Sequence, residues 1–286
     1  METMPGTSSA QSESSKYSWA LRSHPGRERT DNEDFVGAYA PAEPDARGSL
    51  FVGCDGMGGQ AAGEVASRLA VETVVENWVG STGGAAHQLM RSAVRSANSV
   101  VFSASLDADT RGMGTTLTAL ALVGGEALEA VIGHVGDSRA YRVRHGQCEQ
   151  LTADHSRVGE MLRMRLITPE QAKTHPARSQ LSRSLGGEPA VQVDIVRNPV
   201  MPKDAFVLCC DGVWDLVSMR EIAHATAKGA VEGAEELIAL ALDRGAPDNV
   251  TVLVVVVSAD VPMPEADANS GRFGFLKRAA DSLLGR

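Results

Sequence analysis

The chain has 286 residues and a mass of 30.1 kDa; 43% of its residues are hydrophobic, and the formal net charge is -9 with a pI near 5.3. That length buries one large core without forcing a second domain, and the acidic balance argues against a nucleic-acid partner, whose phosphates are gripped by clustered Lys and Arg. No stretch approaches the ~20 apolar residues that span a bilayer, and residues 1 to 15 lack the apolar core of a secretion signal.

Residues 1–16 read as a disordered polar tail rich in Ser, Thr, Gly and Pro. From Tyr17 to about Ser258 the texture is that of one α+β domain. Strand-like runs fall at 35–40, 50–54, 116–123, 127–135, 140–144, 191–196, 206–210 and 250–257. Helical spacing of Val65, Leu69, Val74 and Trp78, and of Leu89, Ala93, Ala97 and Val100, predicts amphipathic helices over 61–79 and 85–106. A further helical pair is expected at 219–227 and 232–243. Gly-containing turns such as Arg144-His145-Gly146 indicate antiparallel hairpins, with helices covering the sheet faces. The segment from about 152 to 187, broken by Pro169 and Pro176, reads as an irregular flap near the site.

Residues 259–286 read as a linker followed by a helix whose apolar stripe includes Phe275, Leu276 and Leu283 beside Arg272, Lys277 and Arg278. Such a tail either lies on its own domain or frays; contact with an anionic membrane surface or a protein is the other reading. Cys54, Cys148, Cys209 and Cys210 form no CxxC pair, and three of them lie in apolar runs, which fits a reducing cytoplasm.

Acidic residues recur at the ends of the strand-like runs. Asp55, Asp137 and Asp211 follow apolar runs, whereas Glu33, Asp34 and Asp248 open them. Neighbouring antiparallel strands bring the C-terminal end of one beside the N-terminal end of the next, so these carboxylates can share one edge. A lone Asp at a strand end more simply caps a turn; the set as a whole would repel itself without cations. Hard oxygen ligands of this type, with no His or Cys spaced for zinc, suit Mn²⁺ or Mg²⁺. Two such ions about 3.5 to 4 Å apart can activate water and clamp an in-line displacement at phosphorus. Arg29, just before Glu33, could grip two phosphoryl oxygens, although a single Arg is more often a surface residue.

Seven elements then carry a resemblance: Gly-x-x-Arg-x-x-Asn-Glu-Asp at 26–34, Asp-Gly-Met-Gly-Gly at 55–59, Gly-Met-Gly-Thr-Thr at 112–116, Gly-Asp-Ser-Arg at 136–139, Leu-Thr-Ala-Asp-His-Ser at 151–156, Cys-Asp-Gly at 210–212 and Pro-Asp-Asn-Val-Thr at 247–251. Each is short, but in this order across 17–258 they resemble the bacterial type 2C metal-dependent protein serine/threonine phosphatases. The resemblance implies a four-layer α-β-β-α sandwich of two antiparallel sheets with the metal site at one end. It implies hydrolysis of phosphoserine and phosphothreonine in proteins by metal-activated water, opposing a serine/threonine kinase. By position, Asp55 would bridge two ions, the Gly56 carbonyl would bind one, and Asp211 and Asp248 would hold the other. Glu33 and Asp34 would fix waters on the ions, Asp137 would join Asp211 at a third, weaker site, and Arg29 would hold the phosphate. Asp34, Asp55 and Asp211 would carry catalysis. Leu181 to Gly186 resembles the end of the family's flap.

One position departs from the pattern. Many bacterial members carry His directly after Asp-Gly-Met-Gly-Gly, assigned as proton donor to the leaving group, where this chain has Gln60. That leaves a second reading, a phosphoprotein-binding regulator with a phosphatase fold and little turnover. Other chemistries fit less well. The Gly-rich run at 55–61 is followed about 20 residues on by Glu76, inside a helix rather than at a strand end, unlike a dinucleotide site. No cysteine has an Arg six positions later, and Ser138 lacks the Gly-x-Ser-x-Gly elbow of serine esterases.

Overall fold

The computed structural model describes residues 9–41, 47–58, 62–124 and 127–264. In chain order its elements begin with β1 (Ser9–Glu13), β2 (Tyr17–His24), β3 (Asp34–Tyr39), β4 (Ser49–Met57), α1 (Ala62–Val79) and α2 (Ala86–Ala104). There follow β5 (Gly114–Thr115), β6 (Leu117–Val123), β7 (Glu129–Val135), β8 (Arg139–Arg144), β9 (Gln147–Gln150), α3 (Arg157–Arg163) and α4 (Pro169–Lys173). The last described elements are β10 (Asp194–Pro199), β11 (Ala205–Cys209), α5 (Asp211–Trp214), α6 (Met219–Thr226), α7 (Ala230–Asp243) and β12 (Val250–Val257).

Two antiparallel sheets result. One has the order β1-β2-β12-β11-β8-β9, the other β10-β7-β6-β4-β3 with β5 paired to β4. Alternate residues of the central strands feed different cores, which is why these strands read as continuous apolar runs. In β12, Leu253, Val255 and Val257 enter the layer between the sheets, while Val252 and Val254 face α6 and α7. In β4, Phe51 enters the intersheet layer while Leu50, Val52 and Cys54 face α1 and α2. Three apolar layers therefore separate four structural ones, the α-β-β-α sandwich expected. Close approach of α1 requires Gly37 on β3, where a Cβ would lie 2.5 Å from Val71 Cγ1. Between β8 and β9, His145 (φ 51°) and Gly146 (φ 73°) form the tight hairpin turn anticipated there.

The structure corrects several local readings. Residues 9–13 are not a disordered tail: β1 pairs along β2 as an edge strand, Ser9 opposite Arg22 and Glu13 opposite Ser18. Its side chains are almost all exposed, so the strand is made by backbone hydrogen bonds and leaves no apolar alternation to read. Asp55 does not end its strand, because β4 runs on to Met57 and pairs Gly56 with Thr115. The flap is irregular as expected, with α3 and α4 inside it. It is tied down at both ends, by the bridges Ser156 to Leu181 and Thr115 to Leu185. The C-terminal helix expected beyond Pro264 and the position of Gln60 lie outside the described residues. Among the described residues no helix is long and apolar enough to cross a membrane.

Candidate metal and phosphate site

The acidic residues converge on one end of the two sheets. Asp34 and Asp55 stand directly opposite one another on β3 and β4, a register that places two carboxylates on one face. From the other sheet, Asp211 follows β11 and Asp248 precedes β12, and these strands are paired neighbours. Asp137 lies in the turn between β7 and β8.

Their charges act on one another. Burial, reinforced by Asp211 and Asp248, raises the Asp34 carboxyl to about 7. Burial raises Asp55 well above the usual carboxylate range, with Asp34, Asp211, Asp137 and Asp248 all adding to it. Asp137 is raised to about 7 by burial and Asp211, and Asp211 to about 6 by burial and Asp248. Like charges drawn this close are costly unless protonated or offset by cations.

Asp34 makes the case for cations most directly. It is 7% exposed, and its only neighbouring donors among the described residues are the Thr251 hydroxyl and the Cys210 thiol, neither in good hydrogen-bond geometry. Buried polar atoms are otherwise satisfied in folded proteins, so this orphaned carboxylate facing Asp55 fits a place for cations and their water shell.

The backbone around these carboxylates is locked. The Asp55 carbonyl accepts from Thr116 N at 2.9 Å and Thr115 Oγ1 at 2.8 Å, and the Asp55 N–H donates to Thr116 Oγ1 at 3.0 Å. Gly56 N donates to the Glu33 carbonyl at 3.2 Å, and a Cβ at Gly56 would come within 2.2 Å of the Gly63 carbonyl oxygen. Gly212 allows the Asp211 turn to press against β12, since a Cβ there would meet the Asn249 carbonyl oxygen at 2.0 Å.

Glu33 takes a different place from its neighbour. Its carboxylate sits on the first turn of α1, accepting from the Gly63 N–H, where the helix N-terminus favours negative charge. Burial raises its pKa, with Arg29 acting against that. Its main chain is pinned by Asn249 Oδ1 on its N–H at 2.8 Å and by Ser67 Oγ on its carbonyl at 2.6 Å. Asn249 Nδ2 also donates to the carbonyls of Pro25 and Asp31, at 3.0 and 2.8 Å, so one amide holds the whole 25–33 loop on β12. In the sequence Asn249 stood only as part of the 247–251 element; the folded loop reveals its three bonds.

Arg29 stands half-exposed at the rim, its Nη2 2.9 Å from Asp248 Oδ2. Asp248, Glu33 and Asp55 all favour its charged form. A guanidinium held over an acidic cluster by one exposed ion pair is free to exchange that partner for a phosphate. Arg29→Ala should therefore cost about 1.5 to 3 kcal/mol of phosphate capture, read as lower kcat/KM on phosphopeptides. An unchanged kcat/KM would make Arg29 a surface residue.

Of the two flap histidines, His155 has both ring nitrogens engaged. His155 is 2% exposed; its Nδ1 accepts from Gly136 N at 3.1 Å, and its Nε2 lies 3.1 Å from Asp194 Oδ2 and 3.0 Å from Arg183 Nη1. It fastens the flap to the Asp137 turn and is not free to serve a leaving group. His175 Nδ1 accepts from Ala177 N at 3.1 Å within its own turn. The Asp137 carbonyl accepts from Trp214 Nε1 at 3.0 Å, and Arg139 lies over the Trp214 ring while forking Asp154 at 2.9 and 2.7 Å.

Comparison with known proteins agrees with this geometry. The family model described as protein phosphatase 2C matches residues 26–250. The serine/threonine protein phosphatase PstP of Mycobacterium tuberculosis is 41% identical over 241 residues, 84% of this chain but only 45% of PstP. The chain thus spans less than half the length of that relative. The serine/threonine phosphatase stp of Listeria monocytogenes is 36% identical over 243 residues, covering 82% of this chain and 94% of that protein. Among solved structures, the M. tuberculosis PstP/Ppp phosphatase superposes with a TM-score of 0.76 at 38% identity, covering 85% of this chain and 99% of that one. The catalytic domain of PstP in complex with two manganese ions does so with a TM-score of 0.74 at 36% identity, covering 85% and 99%. With its sandwich, its converging carboxylates and these matches, the chain belongs to the protein phosphatase 2C family.

Proposed function

We propose that this chain hydrolyses phosphoserine and phosphothreonine in proteins with two divalent cations, Mn²⁺ or Mg²⁺, and that residues 17–258 form the catalytic unit. The observation that carries this reading is the buried Asp34 carboxylate directly opposite Asp55, with Asp211 and Asp248 close enough to raise both and Asp137 close enough to raise Asp55. Bound divalent cations supply an activated water and neutralise the phosphoryl oxygens. Asp55 would serve both ions, Asp211 and Asp248 one of them, the Gly56 carbonyl the other, and Asp137 with Asp211 a third. Asp34 would orient the attacking water and accept its proton. Arg29 would hold the phosphate, and Glu33 would steady the loop that presents Arg29. The partners are phosphorylated proteins, among them a serine/threonine kinase that the enzyme opposes. Four free thiols, three of them buried, support a reducing cytoplasm as the site of action.

Turnover of a phosphothreonine peptide with Mn²⁺ separates this reading from a regulator that binds phosphoprotein and leaves it intact. Gln60 sharpens the same assay. An amide donates a hydrogen bond but delivers no proton at neutral pH, and a general acid is worth about 10²- to 10⁴-fold on a poor leaving group. Gln60→His should raise the phosphopeptide rate more than the p-nitrophenyl phosphate rate, because nitrophenolate leaves without a proton. An unchanged ratio of the two kcat/KM values would place Gln60 away from the leaving group.

A further inference from the structure

The loop that presents Arg29 has no apolar anchor at its tip. Residues 27–31 are all exposed, in the passage from β2 of one sheet to β3 of the other. Its two limbs are gathered by one side chain, Asn249, 6% exposed just before β12. The Asn249 Nδ2 donates to the carbonyls of Pro25 and Asp31, one on either side of Arg29, while Oδ1 accepts from the Glu33 N–H. The preceding residue, Asp248, supplies the carboxylate that pairs with Arg29 at 2.9 Å. Gly26, at φ 86°, lies so close to the same stretch that a Cβ would fall 2.1 Å from the Asp248 carbonyl oxygen. The loop is therefore mounted on the strand end that carries one of the acidic cluster's own members.

We propose that Asn249 is a positioning residue for phosphate capture: its amide closes the 25–33 loop and so fixes Arg29 over the acidic end of the sheets. The inference rests on the phosphatase reading above and deepens it. Glu33 has anchors of its own, since its carbonyl accepts from Gly56 N at 3.2 Å and Ser67 Oγ at 2.6 Å and its carboxylate from the Gly63 N–H. Loss of the Asn249 amide thus leaves the acidic cluster in place and releases the carbonyls that flank Arg29. Asn32 Nδ2 still ties to Ser23 Oγ at 2.8 Å, but at the base of the loop, outside the span from Pro25 to Asp31. A guanidinium must meet phosphoryl oxygens in one planar geometry, so a long side chain on a loosened backbone captures phosphate poorly. The deficit should appear in substrate capture rather than in the step that the cations assist.

A double-mutant cycle of Asn249→Ala and Arg29→Ala, on a phosphothreonine peptide at saturating Mn²⁺, tests this. Asn249→Ala should raise KM about tenfold and change kcat by less than about threefold. Added to Arg29→Ala it should lower kcat/KM by less than about twofold more, since the residue it positions is already gone. A merely structural role would multiply the two losses. Asn249→Ser, too short to span three main-chain groups, should repeat the pattern and guards against an alanine variant that fails to fold. Trypsin reads the loop without turnover: in metal-free protein, cleavage after Arg29 should be at least about tenfold faster in either Asn249 variant, while cleavage after the exposed Arg165 is unchanged. If the wild type turns over no peptide, the phosphatase reading falls, and the same cycle run on binding of inorganic phosphate to Mn²⁺-loaded protein decides the role of Asn249. Losses that multiply, a loss confined to kcat, or unchanged cleavage after Arg29 would overturn that role.

Discussion

Asp55→Asn and Asp211→Asn should each remain folded and lose at least about 10²-fold in kcat/KM on phosphothreonine peptides at saturating Mn²⁺. The amide keeps the size of the side chain and one oxygen but gives up the charge that holds a divalent cation. In the metal-free protein the same change removes a mutual repulsion: Asp34, Asp211, Asp137 and Asp248 all press on Asp55, and Asp248 and Asp215 on Asp211. Both variants should therefore melt at or above the wild-type temperature in chelator while turning over far more slowly. That combination separates a lost cation site from a damaged fold, since a variant that is less active and also less stable has lost structure. Near-normal rates for both would remove these carboxylates from the reaction.

A second large effect concerns pH. Asp34 and Asp137 are raised to about 7 and Asp211 to about 6, whereas an unfolded Asp titrates near 3.9. A carboxyl raised on folding binds its proton more tightly in the native state, so its contribution is fully present below about pH 4 and is lost as pH rises through about 6 to 7. Metal-free protein should accordingly become less stable between about pH 5 and 8, by several degrees in melting temperature. Buried His134, lowered to about 3, and His155, also lowered by burial, work in the opposite sense below about pH 6.5, so the carboxyl-driven loss of stability is steepest between about pH 6.5 and 8. Cations bind the ionised carboxylates, so the stabilisation given by Mn²⁺ should grow with pH across the same interval. Thermal melts with chelator and with Mn²⁺ at several pH values check both halves. A metal-free melting temperature that is flat or rises from pH 5 to 8 would show that these groups are not crowded together in solution.

What the sequence disclosed, and what it hid, follows from burial. Strand β12 is legible because it is central and covered on both faces, so Val250 to Val257 are nearly all β-branched and apolar. Helices α1 and α2 are legible because one face of each packs on a sheet and spaces its apolar residues accordingly. Strand β1 is not, because Ser9 to Glu13 are joined to the sheet through their backbone while their side chains stay in water. The convergence of Asp34, Asp55, Asp137, Asp211 and Asp248 could be argued from strand ends and antiparallel pairing, even though β4 continues past Asp55. Glu33 was legible as an acid but not as one seated on α1, since that depends on the close approach permitted by Gly63, whose Cβ would fall 2.4 Å from Glu33 Oε1. The three bonds of Asn249 and the approach of the Cys210 sulfur to two carboxylates are long-range facts of packing, and no local pattern encodes them.

The most direct measurement is hydrolysis of a phosphothreonine peptide by purified protein stripped of metal, then titrated with Mn²⁺ and with Mg²⁺. Activity should be absent after verified metal removal, return with added cation along a saturable curve, and vanish again in excess chelator. Full hydrolysis by the metal-free protein, or none at any Mn²⁺ or Mg²⁺ concentration, would contradict the assignment of these carboxylates to a cation-dependent phosphatase.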